Sequence, residues 1–176
     1  SRVIPARLRA ANEKTGGQFE VLLLEENSTN DWWAMMRPGK RARIGTTISF
    51  RDHSGNTTQI TGDVVATNDE GHRRLRFSGT SNVLDELQAL GEMPLPPYIV
   101  RGAGRTNDAD LERYQTVFAQ AAGSVAAPTA GLHFTPQLLD DIRGRGIEVC
   151  FVTLHVGLGT FAPVKADSLE QVFARY

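Results

Sequence analysis

The chain has 176 residues, a net charge of −1 and 40% hydrophobic residues, which is ordinary for one or two small soluble domains. No apolar run approaches the roughly 20 residues of a membrane span, and no signal-peptide pattern opens the chain, so we expect a cytoplasmic protein. The single cysteine, Cys150, excludes a disulfide framework and a cysteine-based zinc site, and its apolar neighbours predict a small buried side chain rather than a reactive thiol.

Charge is divided unevenly along the chain. Residues 1–80 hold 12 Lys+Arg and 9 Asp+Glu (+3), whereas residues 81–176 hold 7 and 11 (−4). Random scatter explains this difference as well as a polyanion-binding first half does. The opening residues Ser1 to Pro5 read as the middle of a domain, so we expect the chain to be part of a longer protein.

The first half of the chain is strand-like. In its third segment Ile44, Ile48 and Phe50 share one face, and turn residues separate the segments. The spacing indicates a small antiparallel barrel or sandwich. The five predicted strands are residues 19–24, 32–36, 44–50, 59–67 and 73–77.

The pattern changes after Ser78. Asn82 predicts the cap of a helix that buries Val83, Leu87 and Leu90 and stops at Gly91. We expect residues 93–98 to be extended because their prolines restrict the backbone. A second helix is predicted over 108–120, with inward-facing residues Leu111, Tyr114 and Phe118.

The remaining pattern predicts a βαβ unit with a right-handed crossover. Its strands are residues 123–127 and 147–156. Between them Thr135 and Pro136 begin a helix that ends by Gly144 or Gly146. We expect the helix to bury Leu138, Leu139 and Ile142.

Two glycine-containing segments follow the predicted strands and carry the best candidates for chemistry. His133 and His155 each lie in such a segment, where an imidazole can exchange a proton with a ligand near neutral pH. An isolated histidine is more often structural, and two histidines without a third ligand are a weak metal signal. The glycines beside them, Gly131, Gly157 and Gly159, let backbone amides approach an anion, and Thr129 and Thr160 add hydroxyls. A Rossmann motif and a P-loop are excluded.

Other polar residues are weaker candidates. Arg113, Gln115 and Thr116 are candidates for substrate contact, and Tyr114 is as easily core as catalytic. In the β module, one basic cluster contains Arg37, Lys40, Arg41 and Arg43, and another contains Arg73, Arg74 and Arg76. Such clusters are usually solvated faces; on a shared face they would position a phosphate backbone.

Five segments, in order, closely resemble the S-adenosylmethionine:tRNA ribosyltransferase-isomerase family of queuosine biosynthesis. The resemblance runs from Arg2 to about Glu170. It is carried by residues 2–8 (RVIPARL), 91–99 (GEMPLPPYI), 113–119 (RYQTVFA), 125–135 (VAAPTAGLHFT) and 153–161 (TLHVGLGTF).

The resemblance implies an α/β fold: a barrel-like domain, incomplete in this chain, with an inserted small antiparallel β-barrel domain. Residues 1–10 would belong to the α/β domain, 11–80 to the inserted β-barrel and 81–176 to the α/β part with the active-site loops. S-adenosylmethionine would be the co-substrate, without a metal. The partner would be tRNA carrying 7-aminomethyl-7-deazaguanine, and we expect a monomer with no membrane contact.

The resemblance also implies a reaction. The ribosyl group of S-adenosylmethionine is transferred to the aminomethyl group at the wobble position and isomerised to an epoxycyclopentanediol, with release of adenine and methionine. We expect His133, His155 and Tyr114 to handle protons. Substrate-binding residues would be Arg2, Arg113, Gln115, Thr116, Thr129, Ala130, Gly131, Gly157, Gly159 and Thr160. Arg37, Lys40, Arg41 and Arg43 would bind RNA.

The chain departs from the family after Glu170, where residues 171–176 replace a histidine-containing segment. Two other readings therefore stay open. One is a noncatalytic tRNA-binding protein with a degenerate nucleoside pocket, and the other is a hydrolase that releases adenine without tRNA.

Overall fold

The computed structural model describes residues 1–95, 108–120, 122–153 and 156. Its strands are β1 (Arg2–Val3), β2 (Arg7–Asn12), β3 (Gln18–Ser28), β4 (Asp31–Arg37), β5 (Thr47–Arg51), β6 (Thr57–Thr67), β7 (Arg73–Ser78), β8 (Gly91–Glu92) and β9 (Ala122–Ser124). Its α-helices are α1 (Val83–Leu90), α2 (Asp108–Arg113) and α3 (Pro136–Gly144), and short 3₁₀ turns cover Gly39–Arg41 and Thr129–His133. Within these residues, no helix is both long and apolar enough to span a bilayer.

Six strands close an antiparallel barrel, in the order β3-β4-β7-β6-β5-β2, and the β2–β3 pairing completes the ring. Of the two folds that the sequence allows, a barrel and a sandwich, the structure is therefore a barrel. The sixth strand, β2, crosses the predicted boundary at residues 10 and 11 between the α/β part and the inserted module. Its alternation of buried Leu8 and Ala10 with outward Arg7 and Arg9 is the signal of a half-buried strand.

The barrel interior is filled by the inward residues of each strand. The rings of Phe50 and Phe77 stack at a centroid distance of 5.0 Å, and both residues are buried. Gly62 lies beneath them, where a Cβ atom would come within 3.0 Å of Phe50. Each such fully buried apolar side chain stabilises the fold by about 2 kcal/mol. Ile44 is the exception to the predicted inward face; it is 65% exposed because it precedes β5 in a turn.

Helix α1 confirms the predicted cap and stop. The Asn82 side chain accepts a hydrogen bond from the Leu84 amide at 3.0 Å, and Val83, Leu87 and Leu90 are buried. Gly91 follows the helix as its C-cap, and only glycine fits there because a Cβ would lie 1.9 Å from the Pro5 carbonyl oxygen. This close approach brings β8 beside β2 and joins the helix to the barrel.

The α/β part contributes a parallel pair and a second core. Strands β1 and β9 are parallel, and the Val125 amide donates to the Val156 carbonyl at 3.0 Å. The second core comprises Val3, Met93, Leu95, Tyr114 and Ala127. The α/β barrel-like architecture itself stays a prediction.

Three predictions in the second half need correction. Helix α2 ends at Arg113 rather than Gln120. Tyr114 packs into the second core instead, and the side-chain amide of Gln115 hydrogen-bonds to the Val3 backbone. Helix α3 begins as predicted, with the Thr135 hydroxyl accepting from the Leu138 amide at 3.1 Å. The apolar face of α3, however, is not buried in the described part of the chain, and Leu138 is 41% exposed.

The predicted buried strand over 147–156 is also wrong for residues 147–153, which form no strand. Phe151 and Val152 are 62% and 84% exposed, and Cys150 is exposed rather than buried. An apolar run forms a strand only where another strand accepts its backbone hydrogen bonds. In the described residues, Val156 makes this contact: its carbonyl accepts from the Val125 amide, and its amide donates to the Ser124 hydroxyl, each at 3.0 Å.

Candidate active site

The 3₁₀ turn Thr129–His133 forms the centre of the candidate site. Pro128 precedes it, and its carbonyl accepts a hydrogen bond from the Gly131 amide at 2.8 Å. Gly131 is buried, whereas Thr129, Ala130 and His133 are exposed. The turn therefore presents a hydroxyl and an imidazole to solvent while its glycine faces the protein.

A cavity of about 470 Å³ lies beside this turn. That volume is within the range of small-molecule sites. Ser1, Thr116, Phe118, Ala119, Gln120, Pro128, Gly131, Phe151, Val152 and Thr153 line it. Of the predicted substrate-binding residues in the described chain, Thr116 and Gly131 belong to this lining.

Gly131 is required by the close packing of the cavity wall. A Cβ atom there would lie 2.8 Å from the Thr116 methyl carbon and 3.0 Å from the Phe118 ring. Both distances are shorter than ordinary van der Waals contact, so a side chain at position 131 would displace the wall. The glycine lets the turn approach the 116–118 segment closely.

Three phenylalanines, which we call the aromatic wall, pack together beside the cavity: Phe118 and Phe151 line it, and Phe134 packs against Phe118. The ring centroid of Phe118 is 6.3 Å from that of Phe134 and 6.5 Å from that of Phe151. Sequence reasoning did not assign the wall to the site, because Phe118 was predicted to be helix core and Phe151 to be a buried strand residue. The position of Phe134 directly after His133 was the available signal. Exposed aromatic faces at a cavity can stack on a planar heterocycle.

The remaining predicted substrate-binding residues take other positions. Both amide atoms of Gln115 are engaged by Val3: Oε1 accepts from its N–H at 2.9 Å, and Nε2 donates to its carbonyl at 2.8 Å. Tyr114 is 4% exposed in the second core. Arg2 and Arg113 are exposed on β1 and at the end of α2. His155, Gly157, Gly159 and Thr160 lie outside the described residues.

The basic residues form a second candidate surface on the barrel. The segment 37–43, which we call the cationic loop, carries Arg37, Lys40, Arg41 and Arg43, all exposed. Within the described residues none of the four forms an ion pair. Their charge is therefore available to an anionic partner.

Arg73 holds the cationic loop in place. Its Nε donates to the Ala42 carbonyl at 2.6 Å and its Nη2 to the Gly39 carbonyl at 2.7 Å, while Nη1 reaches the Gly71 carbonyl. The two basic clusters predicted from sequence are thus neighbours, joined by one guanidinium. Arg73 therefore stabilises the fold through these hydrogen bonds and does not contribute a freely solvated charge to the surface.

Arg74 pairs with Asp31 within the fold, and the exposed Arg76 approaches the same carboxylate at a longer distance. The buried Asp31 carboxylate accepts from Arg74 at 2.7 and 2.9 Å, and Arg76 lies 3.7 Å away. The hydrogen bond to Asp31 raises the pKa of the Arg74 guanidinium. The second cluster therefore supports the barrel, and the cationic loop remains the candidate RNA-binding surface.

No arrangement of three or more His, Cys, Asp or Glu side chains suited to a metal ion occurs among the residues that the structure describes. The expectation of a metal-free site stays a prediction.

Comparison with known proteins gives two findings. The family model described as queuosine biosynthesis protein matches residues 1–174. The crystal structure of S-adenosylmethionine tRNA ribosyltransferase from Thermotoga maritima is 23% identical, with a TM-score of 0.38. The match covers 84% of this chain and 35% of that chain, so the chain spans about a third of the length of this solved relative.

Proposed function

The chain belongs to the queuosine biosynthesis protein family, and we propose that it carries out the ribosyl transfer and isomerisation of that pathway on tRNA. The family match across residues 1–174 carries the proposal. The cavity beside the Thr129–His133 turn supports it, since about 470 Å³ is enough for a nucleoside-sized ligand.

The proposed reaction balances as a transfer. The aminomethyl nitrogen of the 7-deazaguanine forms a bond to a carbon of the ribosyl group. That carbon releases adenine and bonds to the carbon that releases the methionine sulfur, which closes the cyclopentane ring. The ribosyl ring oxygen moves from the first of these carbons to the second and closes the epoxide, and the aminomethyl nitrogen loses a proton. A base must remove a proton next to the sulfonium, and adenine must gain one as it leaves.

The described residues have the chemistry for parts of this reaction. Phe118 and Phe151 in the cavity lining are candidates for stacking on the adenine, and Gly131 lets the turn pack closely against Phe118. His133, exposed on the same turn, is our candidate for proton transfer, together with His155 and Tyr114. Thr129 and Thr116 are candidates for hydrogen bonds to the ribosyl hydroxyls.

The test uses the full gene product, S-adenosylmethionine and tRNA that carries 7-aminomethyl-7-deazaguanine. We expect tRNA-dependent release of adenine together with the epoxycyclopentanediol mass on the nucleoside. Adenine release without tRNA would instead indicate a hydrolase, and tRNA binding without release would indicate a binding protein.

Histidine variants test the proton-transfer assignment. We expect at least one of His133→Ala and His155→Ala to abolish adenine release while the fold is retained. His53→Ala is the matched control, because His53 is exposed in the turn between β5 and β6. Near-normal turnover in both site variants would disprove the assignment.

A further inference from the structure

A second cavity, which we call the junction cleft, lies where the segment after β8 leaves the outer face of the barrel. Its volume is about 120 Å³, room for roughly four water molecules or one small oxyanion. Arg7, Glu20, Leu22, Met35, Arg37, Pro94 and Leu95 line it. Since Leu95 also belongs to the second core, the cleft joins the two parts of the fold.

Strand register explains how these residues come together. Arg7 on β2 pairs with Leu22 on β3, which pairs with Met35 on β4, so the three form one row across the outer face. Glu20 and Arg37 pair across β3 and β4 in the adjacent row. The lining therefore combines the apolar Leu22 and Met35 with Arg7 on β2 and Arg37 on β4, and Glu20 stands on β3 between those two strands.

The guanidinium of Arg7 has unused hydrogen-bonding capacity. Its Nη2 makes one long hydrogen bond to the Leu95 carbonyl, at 3.4 Å, and its buried Nε has no acceptor. In contrast, the next outward residue on β2, Arg9, is paired with Glu92 at 2.8 Å. Among the described residues neither Arg7 nor Arg37 forms an ion pair, and Glu20 supplies the single carboxylate of the lining.

We propose that the junction cleft binds one phosphodiester group of the substrate RNA, held between the Arg7 and Arg37 guanidiniums. This inference rests on the proposed function, because it takes tRNA as the partner. Two guanidiniums and one carboxylate leave a net positive lining, and a guanidinium fork matches the oxygens of a phosphate. RNA is favoured over a free oxyanion because Arg37 also begins the cationic loop, so the cleft continues that surface.

The test compares RNA affinity against salt concentration for Arg7→Met, Arg37→Met and Arg51→Met in the full gene product. Arg51 is a matched control: it is also half-buried, makes one 3.4 Å hydrogen bond to a carbonyl and has a buried Nε without an acceptor. We expect Arg7→Met and Arg37→Met each to weaken binding about fivefold and to lower the slope of log affinity against log salt by about one. Arg51→Met should leave both unchanged.

Each other result overturns the inference. An unchanged slope in both cleft variants, or an equal loss in Arg51→Met, would show that the cleft holds no phosphate. An unchanged slope with a raised KM for S-adenosylmethionine would assign the cleft to the carboxylate of that substrate. If Arg7→Met does not fold, two other variants decide whether the cleft binds phosphate. Arg7→Lys should keep the salt slope, and Arg37→Met, at an exposed position, should lower it. Because binding is measured without turnover, loss of adenine release alone would count against the proposed function and not against the cleft.

Discussion

Gly131 packs against Phe118 so closely that a Cβ atom at position 131 would lie 3.0 Å from the ring's Cζ atom. The Gly131→Ala substitution must therefore move the ring into the cavity or the turn away from it. Either movement changes the proposed adenine site, and we expect KM for S-adenosylmethionine to rise at least tenfold. The control is Gly144→Ala, since a Cβ there meets no atom within 4 Å. Equal KM values for the two variants would contradict the assignment of this cavity to the co-substrate.

The cationic loop predicts a salt-dependent contribution to tRNA binding. Replacing Arg41 and Arg43 together by Glu removes two exposed positive charges and adds two negative ones. We expect affinity to fall at least tenfold at low salt and the difference to shrink as salt rises. Lys14→Glu, at an exposed position in the turn between β2 and β3, is the control. An unchanged affinity at every salt concentration would remove the loop from the RNA surface.

Arg73 predicts a different response, since its charge is used within the protein. Arg73→Met removes the hydrogen bonds that hold Gly39 and Ala42. Charged hydrogen bonds contribute about 2 kcal/mol each, so we expect the free energy of unfolding to fall by about 2–3 kcal/mol, less than their sum because the arginine is partly exposed. Urea denaturation measures this loss. Arg41→Met, which breaks no hydrogen bond within the described residues, should change stability by less than 0.5 kcal/mol.

The parts of the fold that sequence predicts are those that local chemistry determines. Asn82 caps α1 and Thr135 caps α3 because a short polar side chain can accept from the first helical amides wherever the helix packs. Most barrel strands are likewise predicted by a local pattern, the alternation of apolar and polar residues along the strand. Strand β2 was overlooked because its outward residues are arginines, although Leu8 and Ala10 alternate with them.

The site depends on contacts that no local pattern encodes. Helix α2 ends before Tyr114 because Tyr114 packs in the second core and the Gln115 side chain hydrogen-bonds to the Val3 backbone. These tertiary contacts override helix propensity. The same change of direction places Thr116 and Phe118 against Gly131. Sequence therefore predicts the Thr129–His133 turn as a candidate site, but it does not predict that Thr116 and Phe118 lie opposite that turn.

His72 predicts a pH-dependent stability. Burial lowers the pKa of the His72 imidazole below its ordinary value of about 6.5, with nearby Glu70 acting in the opposite direction. The unfolded chain then binds more protons than the folded protein below about pH 6.5. The contribution of neutral His72 to the free energy of unfolding is therefore fully present above that pH, and it is lost as the pH falls toward the folded-state pKa. Nδ1 lies 3.2 Å from both the Asn68 side-chain nitrogen and Glu70 Oε2, so the direction of the shift follows from burial rather than from these two contacts.

Unfolding free energy measured between pH 5 and 8 checks this expectation. His72→Gln cannot titrate, so it should flatten the decline below pH 6.5. The exposed His53, replaced in the same way, should leave the decline unchanged. A wild-type curve that stays level from pH 7 to pH 5.5 would contradict the assigned direction.

Gly91 predicts a large loss of stability from a single added methyl group. A Cβ atom there would lie 1.9 Å from the Pro5 carbonyl oxygen and 2.7 Å from that of Leu87. Both atoms are backbone, so no side-chain rotation relieves the clash, and α1 must separate from the segment leading into β2. We expect Gly91→Ala to lower the free energy of unfolding by about 3 kcal/mol or more, measured by urea denaturation. Gly17→Ala is the control, because its Cβ would meet only the flexible Thr15 side chain at 3.4 Å. If both variants were equally stable, the Pro5–Gly91 approach would not be what fixes α1 against the barrel.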